Sequence, residues 1–154
     1  MIPPHIFERF GTVPDELIAL CRPHTWEQLT RPHAEGMRSI RAALVHTAGA
    51  ETYWIQHVVL GRPLVRPDEA SFTNLDAILA HWKPQRQTTL AFVRGLTPAQ
   101  RTERRPFPWN PQDGTTVEDI VWHVVTHEQY HRGQIFTRLA LLGRRDLPDH
   151  DMLR

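Results

Sequence analysis

A chain of 154 residues with 40% hydrophobic and 23% charged content has the size and composition of one globular domain with a real core. Eighteen basic residues stand against 17 acidic ones, a formal net charge of +1, so there is no electrostatic basis for a nucleic acid or an anionic membrane as partner. Arg-rich spots such as 101–105 and 144–145 are short and flanked by acids or Pro, and read as solvated loops. The lone cysteine, Cys21, excludes an internal disulfide and suits a reducing compartment. No stretch approaches a membrane span, and the N-terminus lacks a basic region followed by an apolar one. The expectation is a single cytoplasmic domain over 1–154. Ten histidines and thirteen prolines are high counts for this length.

Pro3 to Phe10 reads as a short helical piece, interrupted at Gly11-Thr-Val-Pro14. A new helix opens at Pro14 with Asp15 and Glu16 in its first turn and stops at Pro23. Thr25-Trp-Glu-Gln28 has the form of a capping box. The second long helix is expected from near Ala34 to Val59 or Leu60, with Gly61-Arg-Pro63 ending it and Met37, Ile40, Leu44, Ala48, Ile55, Val58 and Val59 at helical spacing. A polar loop follows to Phe72. The third helix begins near Thr73 or Asn74, and Pro84 inside it predicts a kink or break.

Residues 97–115 hold four prolines and read as an irregular crossing with a little extended structure. Thr115-Thr-Val-Glu118 resembles a capping box, and a last helix runs from about Thr116 to Leu142, ending at Gly143. The tail from Arg144 to Arg154 has no periodicity. Three or four amphipathic helices with longish connections make an all-α fold, a helical bundle.

Advancing about 100° per residue puts Val117, Ile120, Val121, Val124, Val125, Ile135, Phe136, Leu139 and Leu142 on one core-facing arc of the last helix. His131 lies on a flank of that arc, His127 about 40° further out, and His123 about 40° beyond, at the rim. His127 and His131, spaced i, i+4, share one side of the helix and can both reach one metal ion. His123 suits an entrance or supporting place rather than ligation.

His46 lies roughly opposite the main apolar face of the second helix, among Ser39, Ala42, Gly49, Ala50 and Tyr53. Those small neighbours leave room for a ligand. Rotation along the helices does not by itself bring His46 to the pair. His5, His24, His33, His57, His81 and His150 read as ordinary surface or core histidines.

His127-Glu-Gln-Tyr-His131 also spells the zincin pattern, with Glu128 as general base of a metallopeptidase. Against it, Gly133, Phe136 and Thr137 do not match the metzincin extension, and no sheet is evident to hold an extended peptide. The downstream third-ligand candidates Asp146, Asp149 and His150 sit in a Pro-containing tail. Glu128 and Arg132 fall in the middle of the apolar arc, where an i, i+4 ion pair, or a polar pocket beside the metal, would account for them.

The stretch Val121-Trp-His-Val-Val-Thr-His-Glu-Gln-Tyr-His-Arg-Gly-Gln-Ile135 resembles the last-helix signature of the DinB/YfiT superfamily. Ala43-Leu-Val-His-Thr-Ala-Gly-Ala-Glu-Thr-Tyr-Trp54 resembles its second-helix motif, and their order and spacing also fit. The resemblance implies a four-helix bundle of the DinB/YfiT type and one divalent metal ion, zinc or nickel, held by His46, His127 and His131. It also implies a homodimer. Some members are thiol-dependent enzymes, bacillithiol S-transferases or mycothiol-dependent isomerases, and others are described as metal-dependent hydrolases. The first helix departs from the family pattern at Gly11 and Pro14.

Three histidines on one ion leave a coordination position open, the layout of a catalytic zinc site. The expected function is a metal-dependent enzyme of the thiol S-transferase or hydrolase kind, acting on a small molecule, with a low-molecular-weight thiol as co-substrate in the first case. The rivals are a non-catalytic, stress-related metal-binding dimer and the zincin peptidase. Glu128, His123 and Tyr53 are candidate proton acceptors among which the sequence does not choose.

Overall fold

The computed structural model describes residues 4–32 and 39–148. Its elements are α1 (Pro4–Cys21), α2 (Trp26–Thr30), α3 (Ile40–Glu51) running into a π-helix (Thr52–Val59), a 3-10 turn (Glu69–Ser71), and α4 (Leu75–Gly95). They continue with α5 (Pro98–Thr102), strands β1 (Arg104–Phe107) and β2 (Asn110–Thr116), and α6 (Val117–Leu141). Helix starts are set by side chains that accept from first-turn N–H groups lacking a partner within the helix. Ser39 accepts from Ala42 N at the head of α3, and Asn74 from Ala77 N at the head of α4. The capping box of Thr25 and Gln28 forms as expected.

The box opening α6 lies one residue later than expected. Thr116, the last residue of β2, is the N-cap: its hydroxyl accepts from Asp119 N, and Asp119 Oδ2 accepts from Thr116 N. Gly61 and Gly143, with φ of 67° and 96°, follow the ends of the π-helix and α6, where the left-handed backbone favours glycine.

Two expected breaks do not occur. α1 runs unbroken through Gly11 and Pro14. Proline has no N–H for the Phe10 carbonyl four residues back, which would leave that oxygen unpaired in the core. Arg86 of α4 supplies the missing donor, its Nη1 bonding the Phe10 oxygen. Gly11 lets α4 approach closely, since a Cβ there would meet Leu90 Cδ1 at 3.2 Å. α4 likewise continues through Pro84.

The second long helix starts at Ile40 rather than near Ala34, because Ser39 is extended at φ −146°, ψ 166°. The expected segment 34–38 lies outside the described residues, as do Pro3, the His33 and His150 positions, Asp149 and the tail beyond 148. The 97–115 crossing is more ordered than expected, a short helix followed by an antiparallel hairpin with an irregularity between Pro106 and Phe107.

α1, α3 with its π extension, α4 and α6 form the four-helix bundle. α3 lies between α4 and α6, and α1 packs on α4 and α6. The apolar core has two parts. One joins Leu17, Ile18, Leu44, Ile78, Trp82, Ile135 and Leu139; the other joins Phe10, Ile55, Val59, Ile120, Val121 and Val124. Each such side chain, fully buried, contributes on the order of 1.5–3 kcal/mol.

Between the two parts, every long helix supplies a polar group to one layer: the Phe10 carbonyl, Glu51, Arg86 and Glu128. Glu51, Arg86 and Glu128 are each 1–2% exposed. No helix among the described residues is long and apolar enough to cross a membrane.

Candidate metal centre

α3 and α6 face each other along the bundle, and their contact brings His46 to the His127–His131 pair. His127 Nε2 lies 3.2 Å from His46 Nε2 and 3.1 Å from His131 Nε2. These three form the one group of His, Cys, Asp or Glu ligand atoms among the described residues that could hold a metal ion. His46 is exposed, His127 intermediate and His131 buried, so the site opens at one side.

The donor set is neutral. Burial, then repulsion from His131, His46 and His123, pushes His127 down to about 4. Burial also lowers His46, with His131 adding to the effect, and burial lowers His131. His131 Nδ1 meets Gln134 Oε1 at 2.9 Å. An amide oxygen only accepts, so the proton sits on Nδ1 and the Nε2 lone pair of His131 is free.

His127 Nε2 then has two nitrogen neighbours and either one proton or one lone pair. Donating to His131 leaves it nothing with which to accept from His46, so hydrogen bonding satisfies one contact and not both. A shared cation satisfies all three nitrogens. Nitrogens held tetrahedrally at about 2.0–2.1 Å from one zinc ion lie about 3.3–3.4 Å apart, close to the two separations seen. The residues fit a divalent metal.

A cavity of about 370 Å³ opens beside His46 and His127. Its walls are Val45, Gly49, Ala50, Tyr53, Trp54, Arg66 and Pro67. The small-residue face of the second helix is thus the floor of a cleft, and Tyr53 lines it. Ser39, expected on that face, is instead buried at the α3 N-cap. His123 stands at the rim, its ring 5.5 Å from His127 and 5.0 Å from Trp54.

Glu128 is turned into the core. Its Oε2 accepts from Arg86 Nη2, and its Oε1 has no hydrogen-bond partner among the described residues. Burial raises it to about 7, against the pull of Arg86. Arg86 also grips Glu51, with Nε 3.0 Å from Oε1 and Nη2 3.0 Å from Oε2, while Trp82 Nε1 donates to Glu51 Oε2 at 2.9 Å. Arg132, expected to pair with Glu128, reaches Glu16 Oε2 of α1 at 3.4 Å.

A carboxylate held inside the bundle by a guanidinium is poorly placed to activate water at the cleft. This geometry speaks against the zincin reading. Cys21 is a buried core thiol pushed up to about 12 by its surroundings.

Sequence reasoning did not single out Gln134, Glu51, Arg86, Trp54 or Arg66. A signal existed for Glu51, the only Asp, Glu, Lys or Arg between Ala42 and Leu60. One acid in such a stretch implies a buried charge that needs a partner.

A family model described as the DinB superfamily matches residues 9–135. The uncharacterized protein YizA of Bacillus subtilis (strain 168) is 23% identical over 129 residues, covering 84% of this chain and 80% of that one. Among solved structures, a DinB-like protein of Bacillus subtilis, YjoA, superposes with a TM-score of 0.72 at 17% identity, covering 94% of this chain and 96% of that one. YfiT of Bacillus subtilis, described as a probable metal-dependent hydrolase with an unusual four-helix bundle topology, gives a TM-score of 0.71 at 18% identity, with 94% and 92% covered.

Proposed function

The chain belongs to the DinB superfamily, and from that premise we propose that it is a divalent-metal-dependent enzyme of the thiol S-transferase or hydrolase kind. The observation that carries this is the convergence of the His46, His127 and His131 Nε2 atoms at the edge of a cleft of about 370 Å³. The ligand group has three members among the described residues, so a bound ion keeps a position facing the cleft, as catalytic zinc sites do. Zinc and nickel both suit three imidazoles, and such an ion supplies Lewis acidity that lowers the pKa of a water or thiol.

The chain's own groups then orient and exclude. Gln134 fixes the His131 ring, the backbone at Gly49 and Ala50 leaves space for a small molecule, and Trp54 closes one wall. Tyr53 lines the same cleft and brings a hydroxyl that can donate or accept a hydrogen bond. YfiT's description as a metal-dependent hydrolase supports the hydrolytic arm. The thiol arm rests on the family resemblance.

The test is zinc- or nickel-loaded protein assayed with low-molecular-weight thiols plus a chlorinated or epoxide electrophile, and separately with activated esters. Turnover above the His127→Ala variant in either arm supports the reading, and equality in both removes it. The rival, metal binding without catalysis, would show a fourth protein ligand closing the site. We place the enzyme in a reducing, cytoplasmic setting on the strength of its lone buried thiol.

A homodimer is supported by the outward stripe of α6. Trp122, Thr126, Tyr130, Gly133, Thr137 and Leu141 are exposed and uncharged, with Tyr130 at 66% and Leu141 at 74%.

A further inference from the structure

Arg66 is the one charged side chain among the residues lining the cleft. It stands on the loop between the π-helix and the 3-10 turn, and no carboxylate pairs with it among the described residues. The acids that follow it are engaged elsewhere. Asp68 accepts from Ala70 N, and Glu69 is bound by Arg41 at 3.0 Å. Glu51, behind the cleft, is held by Arg86 and Trp82. Among its lining residues the cleft therefore carries one permanent positive charge and no acid, and a divalent ion at the histidines would add to that charge.

Beside Arg66 the wall carries two packed aromatic rings. Tyr53 and Trp54 meet edge to face at 5.3 Å, and Trp54 is braced by Trp109 of the β1–β2 hairpin at 5.8 Å and by His123 at 5.0 Å. The Arg66 guanidinium sits 5.5 Å from the Tyr53 ring. A cation–π contact uses the face of the ring and leaves the N–H fork of the guanidinium available. The floor is open, since a Cβ added at Gly49 would meet nothing within 4 Å. About 370 Å³ is near the lower end of ligand pockets, which suits a small molecule.

We propose that the cleft takes a small organic anion, its carboxylate or phosphate held by Arg66 and its apolar or aromatic body lying along Tyr53 and Trp54, with the far end reaching the three histidines. This rests on the metal-centred reading of the site and adds the substrate class. A guanidinium fork beside an aromatic wall selects acids over neutral isosteres, because a carboxylate or phosphate carries the opposite charge and offers two oxygens for bidentate bonds, whereas an amide offers one neutral oxygen.

The test uses the full zinc-loaded chain, with zinc content measured first, then titration calorimetry with phenylacetate, phenyl phosphate and neutral phenylacetamide. Expected is binding of one or both anions at millimolar concentration or below, with the amide at least about tenfold weaker. Arg66→Gln should keep its zinc and weaken the anion about tenfold, to the level of the amide. The two anions distinguish a carboxylate from a phosphate. Equal binding of acid and amide, no binding of either anion, or anion affinity unchanged in Arg66→Gln overturns the proposal. Failure of the metal-centred reading shows separately, as wild-type protein that retains no zinc before any anion is added.

Discussion

The Nε2 atoms of His46 and His127, from positions 81 residues apart in sequence, lie 3.2 Å from each other. Two neutral imidazoles with lowered pKa values come this close, alongside a third, when something between them is attractive.

Gln134 should matter to metal affinity although it does not reach the metal position. Its Oε1 accepts from His131 Nδ1 and so fixes both tautomer and ring orientation. Gln134→Leu is expected to weaken zinc or nickel binding about 10- to 100-fold with little change in fold. Competition titration against a chromophoric chelator reads this. Affinity within about twofold of wild type would remove Gln134 from the site.

Metal-free protein should lose stability as pH falls. His127 has a native pKa of about 4 against an ordinary 6.5, so between those values the unfolded chain takes up a proton that the native chain refuses. The contribution is present above about pH 6.5 and is lost as pH drops toward 4. In chelator-treated samples, melting temperature should fall between pH 7 and 4.5 more steeply for wild type than for His127→Leu. Parallel slopes would contradict this.

Arg86 should be among the least replaceable residues. Arg86→Leu leaves Glu51 and Glu128 buried without their cation and strips the Phe10 carbonyl of its donor, a cost of about 3–5 kcal/mol by urea unfolding. Glu128→Gln, which keeps the shape and leaves Arg86 paired with Glu51, should cost clearly less and retain the metal. The opposite ranking would mean that Glu128, not Arg86, organises the layer.

The bundle's ends and the last helix were legible locally. The cap at Thr25, the start of the third helix near Asn74, the glycine stops at 61 and 143, and the i, i+4 histidines follow from short-range rules. What was not legible depends on distant partners. Pro14 reads as a break because its missing bond is visible in sequence, whereas the replacement donor, Arg86, is 76 residues beyond the carbonyl it serves. The Glu128–Arg132 spacing suggested a local pair, yet three-dimensional packing gives Glu128 to α4 and brings Arg132 to α1. Apolar spacing alone does not distinguish α from π over 52–59, yet that segment carries Tyr53 and Trp54 into the cleft. The meeting of His46 with the pair was available from family resemblance and not from helical rotation.

The α6 stripe predicts association of two copies. Sedimentation of wild type should report a dimer at micromolar concentration, and Trp122→Glu with Leu141→Glu, both on the exposed face, should give a folded monomer. A wild-type monomer, or a dimer indifferent to both changes, would place any interface elsewhere.

The central claim is tested most directly by a crystal structure of the zinc-loaded protein with the metal located by anomalous scattering. One peak per chain about 2.0–2.1 Å from the Nε2 atoms of His46, His127 and His131, with the remaining position facing the Tyr53–Trp54 cleft and no fourth protein ligand, is the expected result. A fourth protein ligand closing the site, or a peak away from these histidines, would contradict it.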